Sequence, residues 1–467
     1  MPSDTTTNDH SRAQRLLATM GHALQLAPQT CANVRFTDAD ELPSVFAVSD
    51  FAAAAVAAAG AALAEWVAAH PGQPPALKVS RRLASLWFGR SIQPQGWDMP
   101  APWDPIAGDY AAADGWIRLH TNAPHHRAAA LRVLGVLADK AAVAQAVATW
   151  PADALEDAVV ASGGCAAVMR SRDVWAAHPQ GASVAREPLV AVRATPDTCD
   201  ITAATSPFNA SHPLQGIRVL DLTRVLAGPV ATRFLAGWGA DVLRIDPPEW
   251  DEPGVVPDVT LGKRCARLDL HSAEGRATFT TLLRSADVLV HGYRADALDR
   301  LGLDAATRRS IHPGLIDVAL NAYGWSGPWR ERRGFDSLVQ MSAGIAHAGM
   351  QGLGKDRPKP LPVQAIDHAT GYLMAAAVLR GLTLRRASGQ GFEARASLAR
   401  TAWLLASEPT APAAGEFQRV RDDDIADAIE ASAFGPARRL RPPLTFNGMA
   451  MHWERPAAQL GSSAAQW

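Results

Sequence analysis

Asp367 is the residue whose setting most suggests chemistry. It stands in AIDHATGYLMAAAVLRGL, residues 365–382, just after the proline-rich loop PKPLP. A carboxylate at the head of an apolar-periodic run has two readings. It is a helix N-cap, or it is a covalent nucleophile that splits one hard exchange into easier steps. A second run of this kind, SDFAAAAVAAAGAAL, is headed by Asp50. At the same offset of 317 residues, Gly72-Gln73 falls on Gly389-Gln390 and Ser80 on Ser397, with no gap. The agreement reads as a decayed duplication or as coincidence between two alanine-rich helices. No βα unit precedes Asp50, so it reads as structural, an N-cap.

Three basic clusters could meet an anion. LGKRCARLDLH carries Lys263, Arg264, Arg267 and His271; HGYRADALDRLG carries Arg294 and Arg300; WRERRGFD carries Arg330, Arg332 and Arg333. Any one of them is a solvated rim by default. Their recurrence in or near the βα loops of one sheet favours a phosphorylated ligand, because guanidinium suits bidentate phosphate contact. His125-His126 lacks further ligands at metal-binding spacing and reads as exposed loop histidines; no metal site is expected. His368 adjoins Asp367, but neighbouring helical residues point in different directions. No GxSxG, HExxH, Walker A or strand-following GxGxxG pattern is present, so NAD binding is not expected even though Asp246 ends a strand.

The elements that must position these residues follow from periodicity. LQGIRVLDLT is a buried strand, AGPVATRFLAGWG a helix and ADVLRID the next strand, which makes a βαβ unit. ADVLVHGY and GLIDVALNAYG continue the alternation, giving an α/β doubly wound parallel sheet. Upstream, the strand GWIRLHT and the helices after it form a smaller α/β unit. The predicted division is an N-terminal helical region over 1–104, a small α/β domain over 105–192, a linker over 193–213, a Rossmann-like large domain over 214–405 and a tail over 406–467.

Composition narrows the class. The 467 residues are 48% hydrophobic and 19% charged, an ordinary globular profile with room for two or three domains. A formal net charge of −1 gives no field that would draw the chain to nucleic acid or to a membrane. The four cysteines form no CxxC pair, which fits a reducing cytoplasm. The start is polar, without a signal-peptide core. The run FAAAAVAAAGAALAEW is mostly alanine and interrupted by Glu65, so it reads as a buried helix rather than a span. Abundant Ala and Arg with little Lys is the usage of a GC-rich bacterial genome.

Six motifs then recur in order: LQGIRVLDLTRVLAGPVATRFLAGWGADVLRID, GKRCARLDL, SADVLVHGYRADALDRLGL, HPGLIDVALNAYGWSGPW, GFDSLVQMSAG and AIDHATGYLMAAAVL. Together, over roughly 214–400, they resemble the large domain of the family III CoA-transferases, the superfamily of formyl-CoA transferase, carnitine CoA-transferase and α-methylacyl-CoA racemase. DYAAADGWIRLHTN through GGCAAVMRSRDVWAAHPQGAS resembles that family's small domain, and PAAQLGSS its closing segment. The order is rearranged, as if the back end of one copy were joined to the front end of another.

The resemblance implies a CoA-transferase with Asp367 as nucleophile, passing through an aspartyl covalent intermediate. It implies acyl-CoA and a small carboxylic acid as substrates, no covalently held prosthetic group, and an interlocked homodimer. It places CoA contacts at Leu226, Ala227, Leu268, Asp269, His271, Gly292, Tyr293, Arg294, Arg300, Arg333 and Asp336, the last at an acidic family position that would raise the pKa of Asp367 if the two carboxylates approach closely. The start of the Asp367 helix would supply N–H donors to an oxyanion. Three departures accompany it. Phe335 stands where the racemases place a histidine base, Pro247 stands at a common basic position, and residues 89–104 lack the transferases' glycine-rich lid. The alternatives are an acyl-CoA racemase or isomerase, with His368 as substitute base, and a non-catalytic CoA-binding paralogue.

Overall fold

The computed structural model describes residues 6–70, 76–199, 208–408, 417 and 419–467, with side chains from residue 12 onward. Its centre is a seven-stranded sheet in the order Lys263–Arg267, Asp241–Asp246, Arg218–Leu222, Val288–His291, Ile316–Asn321, Gln390–Ser397, Val190–Thr198. All neighbours are parallel except the last pair. This is the α/β doubly wound sheet that the alternating pattern predicts. The parallel part starts at Arg218–Leu222, steps outward twice, then returns to the other side of that strand at Val288–His291. Ligands of such sheets sit at that reversal, beyond the strand C-termini.

The core helix, Ala365–Ser388, lies on one face of the sheet. Gly381 sets how closely it lies: a Cβ there would come within 2.6 Å of Phe392 and 2.8 Å of Ile316, both sheet residues. A companion helix, Val48–Ala68, and the helix Ala227–Ala236 pack against it. Alanine on both long helices lets their backbones approach closely. The companion helix is long and apolar enough to cross a membrane by length and composition, but it is enclosed by the core. The opposite sheet face carries a second apolar core with the helix Ala273–Arg284.

The predicted repeat has a structural counterpart. Companion helix, strand Leu77–Ser80 and helix Arg81–Trp87 follow one another as core helix, strand Gln390–Ser397 and helix Leu398–Ser407 do. Ser80 caps its helix by accepting from the Leu83 N–H, and Ser397 by accepting from the Arg400 N–H, in the same register. Gly72-Gln73 lie outside the described residues. Asp50 is not an N-cap as expected: the cap position is Ala47, and Asp50 is buried in the first turn with the Arg81 guanidinium 2.8 Å away. The residue corresponding to Arg81 in the second copy is Leu398.

The smaller unit has an antiparallel sheet, Gly108–Ala111, Trp116–Leu119 and Ala166–Val168, with its own apolar core. It is tied to the large sheet's loops by Arg332, which lies 3.0 Å from Glu156 and donates to the Ala166 carbonyl. The expected linker does not begin at 193, because Val190–Thr198 is the antiparallel edge strand of the main sheet. From residue 430 the tail returns to the N-terminal region. Gly435–Arg439 pairs with Ile92–Pro94, and Leu444–Phe446 with Leu77–Ser80.

The seat of the core helix is testable at Gly371, where a Cβ would collide with the Ala227 carbonyl and lie 3.0 Å from Val230. Gly371→Ala should cost about 1–3 kcal/mol, the usual cost of overpacking, read as a lower urea midpoint. An unchanged midpoint would mean the two helices are not seated this way.

Candidate functional site

Asp367 is the third residue of the core helix and is not its N-cap; Gln364 holds that position and its side chain caps nothing. The cap comes from elsewhere in the chain. One oxygen of Asp336, on the helix Asp336–Ser342, accepts from the N–H groups of Ile366 at 3.0 Å and Asp367 at 2.9 Å. Its other oxygen accepts from the Gln340 amide at 2.5 Å, and Gln340 in turn accepts from the Leu361 N–H. Asp336 is completely buried and its oxygens are occupied.

The Asp367 carboxylate, 5% exposed, meets no hydrogen-bond donor or cation among the described residues. Burial, and then the negative charge of Asp336, push it well above the ordinary carboxyl range. Asp336 rises only to about 6, because its N–H donors offset part of the burial cost. The core helix dipole favours negative charge at this end, yet loss of water outweighs it. The pair therefore divides its work: Asp336 is the held anion and Asp367 the carboxyl that keeps its proton longest.

The expectation that this helix start supplies oxyanion donors fails. The Ala365 N–H bonds Val363, those of Ile366 and Asp367 bond Asp336, and that of His368 bonds Gln364. The first βα turn, beside Gly371, differs. Leu226 precedes the helix Ala227–Ala236, and the N–H groups of Ala227 and Gly228 have no partner among the described residues. Just before it, Val225 adopts φ 63°, a left-handed conformation that strains a β-branched residue. The Glu252 carboxylate holds it by accepting its N–H at 2.8 Å.

The smaller unit closes over this end. His120 stacks on Phe335 with ring centroids 3.8 Å apart, and His126 meets the same ring edge-on at 5.9 Å. His125 is exposed as expected, but His126 is buried, because the helix Pro124–Leu134 turns it towards Phe335. Burial holds both His120 and His126 neutral, down to about 3. His368 stacks on Phe88 at 5.0 Å, is also pushed to about 3 by burial, and neither of its ring nitrogens has a partner among the described residues. It packs as an aromatic ring and is a poor proton acceptor. Among the described residues no cluster could hold a metal ion.

The basic clusters are mostly spent inside the fold. Lys263 is buried 3.0 Å from Asp221 and donates to Thr232 and Pro229; Arg264 pairs with Asp241; Arg267 donates to the carbonyls of Pro247, Pro248 and Trp250. Arg330 pairs with Glu331, and Arg332 lies over the Trp329 ring. Arg300 is largely exposed and pairs with Asp296 at 2.5 Å. Arg294 and Arg333 have no carboxylate partner among the described residues, so they are the cations left for an anionic ligand.

The other expected contacts sit at strand ends. Leu226 and Ala227 follow Arg218–Leu222, Gly292 to Arg294 follow Val288–His291, and Leu268 to His271 follow Lys263–Arg267. Leu268 packs into the second core, while Asp269 and His271 are exposed in the turn before helix Ala273–Arg284. Tyr293 accepts from Arg224 at 2.7 Å, and the same guanidinium lies 4.8 Å from both the Tyr293 and Trp250 rings. This stack spans the crevice where the strand order reverses.

The family model described as CoA-transferase family III matches residues 214–434. That segment belongs to CoA-transferase family III. A probable fatty acyl-CoA transferase of Mycobacterium tuberculosis is 34% identical over 39% of this chain and 49% of its own length. A succinate–glutarate CoA-transferase of Agrobacterium fabrum is 33% identical over 39% and 50% respectively. The chain thus spans about half the length of these family III relatives. A crystal structure from M. tuberculosis aligns with TM-score 0.39 at 30% identity, covering 42% of this chain and 59% of that one.

The sequence does not single out Gln340, Val225 or His120. Gln340 was detectable, standing one helical turn after Asp336. Nothing in sequence marks Val225, since its conformation is imposed by Glu252.

Because Asp367 and Asp336 bind protons more tightly folded than unfolded, their contribution to stability is complete below the ordinary value of 3.8. It is lost as pH rises through about 6 and beyond. Asp367→Asn should therefore gain stability relative to wild type between about pH 4 and about pH 8, read from urea midpoints. A difference that stays flat across that range would show that Asp367 is not held protonated.

Proposed function

We propose that the protein moves CoA between an acyl-CoA donor and a carboxylic acid through Asp367. The observation that carries the reading is a buried carboxylate with no hydrogen-bond donor among the described residues, on a helix packed against the first βα turn of a family III segment. An ionised carboxylate without hydrogen-bond donors is a stronger nucleophile than a solvated one, and its raised pKa reflects the same lack of stabilisation.

In this reading Asp367 attacks the thioester carbonyl, the C–S bond breaks and the thiolate leaves. The product is a mixed anhydride between Asp367 and the acyl group. The thiolate then attacks the Asp367 carbonyl carbon, releasing the donor acid and leaving an aspartyl-CoA thioester. The acceptor carboxylate attacks that thioester to form a second anhydride, and the returning thiolate takes the acceptor acyl group, which regenerates Asp367. The free N–H groups of Ala227 and Gly228 are the donors best placed to meet an oxyanion. Arg294 and Arg333 are the cations for the phosphates of CoA, and the remaining strand-end positions, Leu226 to Ala227, Leu268 to His271 and Gly292 to Tyr293, line its path.

Phe335 carries no base, and His368, held down to about 3 by burial, is a poor proton acceptor, so racemase chemistry is disfavoured. A homodimer belongs to the proposal, and light scattering that returns a monomer counts against it. A cytoplasmic location belongs to it too, supported by four cysteines without a disulfide.

Incubation with acyl-CoA donors and hydroxylamine should leave hydroxamate on the Asp367 peptide. Asp367→Asn should abolish it and lower turnover by at least about 10³-fold. Asp50→Asn should keep the label per folded molecule while losing about 3–5 kcal/mol of stability, because Arg81 stays buried. Donor binding without any label in wild type would sink the proposal.

A further inference from the structure

A cleft of about 230 Å³ opens where residues 101–104, the smaller unit and the loop 250–255 meet. Its inner wall reaches the site from two sides. Phe335 precedes Asp336, whose carboxylate holds the Asp367 N–H. Val225 stands two residues before Ala227, whose carbonyl backs onto Gly371, one helical turn past Asp367. The remaining apolar wall includes Pro102, Trp103, Trp250 and Val255.

These walls are held in place. Trp103 lies under the Arg118 guanidinium at 5.0 Å and edge-on to His120 at 5.8 Å. The Pro102 carbonyl accepts from Asn122, and the Asn122 carbonyl oxygen accepts from the Asp104 N–H. The Trp250 indole donates to Glu252 at 3.0 Å. The strained Val225 backbone is fixed by the same carboxylate, and strain of this kind persists where the surroundings over-determine it.

The charge of the wall is one-sided. Asp104, Asp251 and Glu252 line the cleft, and no lysine or arginine does. Asp104 pairs with Arg127 at 3.3 Å and Glu252 with Arg244 at 2.5 Å, both outside the lining. Asp251 is exposed at the mouth and accepts only the N–H of its neighbour. A second carboxylate on an entering acyl group would lose water and meet the charge of Asp251, while the nearby Arg118 and Arg224 guanidinium groups are stacked on the Trp103 and Trp250 rings rather than lining the cleft. An apolar cavity of about 150 Å³ already holds a benzene ring, so this one has room for a ring and its carbonyl link.

We propose that this cleft selects a neutral, compact apolar acyl group about the size of one aromatic ring, and rejects half-thioesters of dicarboxylic acids. The inference rests on the transferase reading and goes further by naming the substrate class. The test compares benzoyl-, palmitoyl- and succinyl-CoA as donors, by hydroxamate formed at Asp367 and by kcat/KM. Benzoyl-CoA should exceed succinyl-CoA at least a hundredfold and should also exceed palmitoyl-CoA. Asp251→Lys should raise the succinyl-to-benzoyl ratio about tenfold, the effect of one favourable contact worth about 1.4 kcal/mol. If Asp367 is labelled but succinyl-CoA or palmitoyl-CoA is the preferred donor, the selectivity inference is overturned and the transferase reading stands. If no donor that binds labels Asp367, both fall.

Discussion

The carboxylate of Asp336 is the contact on which the site depends. A helix start leaves backbone N–H groups without partners, and burying them bare is costly. The core helix begins deep in the molecule with no cap of its own, so Asp336 supplies one across the structure. That contact fixes where the first turn sits and therefore where Asp367 sits. It also places a negative charge beside Asp367, which raises the pKa of the residue it positions. Structural support and electrostatic tuning come from one side chain.

The internal repeat shows how little the backbone alone decides. Asp50 and Asp367 occupy matching first-turn positions, each followed by a strand and a serine-capped helix. Arg81 lies against Asp50, whereas its counterpart Leu398 brings no charge to Asp367. A buried carboxylate with a guanidinium partner is a satisfied ion pair. The same group beside a second carboxylate is pushed towards its protonated form. The change from Arg81 to Leu398 thus leaves one aspartate paired with a guanidinium and the other beside a second carboxylate.

The basic clusters carry a related lesson. Arginine and lysine counted along the chain suggested an anion-binding rim. In the fold most of them neutralise aspartates and glutamates or tie loops together, with Lys263 buried outright against Asp221. Arg294 and Arg333 remain. A cation with a partner contributes to the fold, and only one without a partner is free to recruit a ligand.

The sequence by itself determined the doubly wound sheet, because alternating apolar strands and amphipathic helices fix that architecture through local periodicity. It also singled out Asp367, and Asp336 at an acidic position near it, through motifs that recur in order. Only the tertiary structure decided what each of these does. The cap on the core helix comes from Asp336 rather than Asp367, and the helix start has no N–H left for an oxyanion. His126 turns inward, and the smaller unit brings His120 onto Phe335, the residue before Asp336. Hydrogen-bond satisfaction, burial and charge pairing join residues far apart in the chain, and local pattern carries no record of those partners.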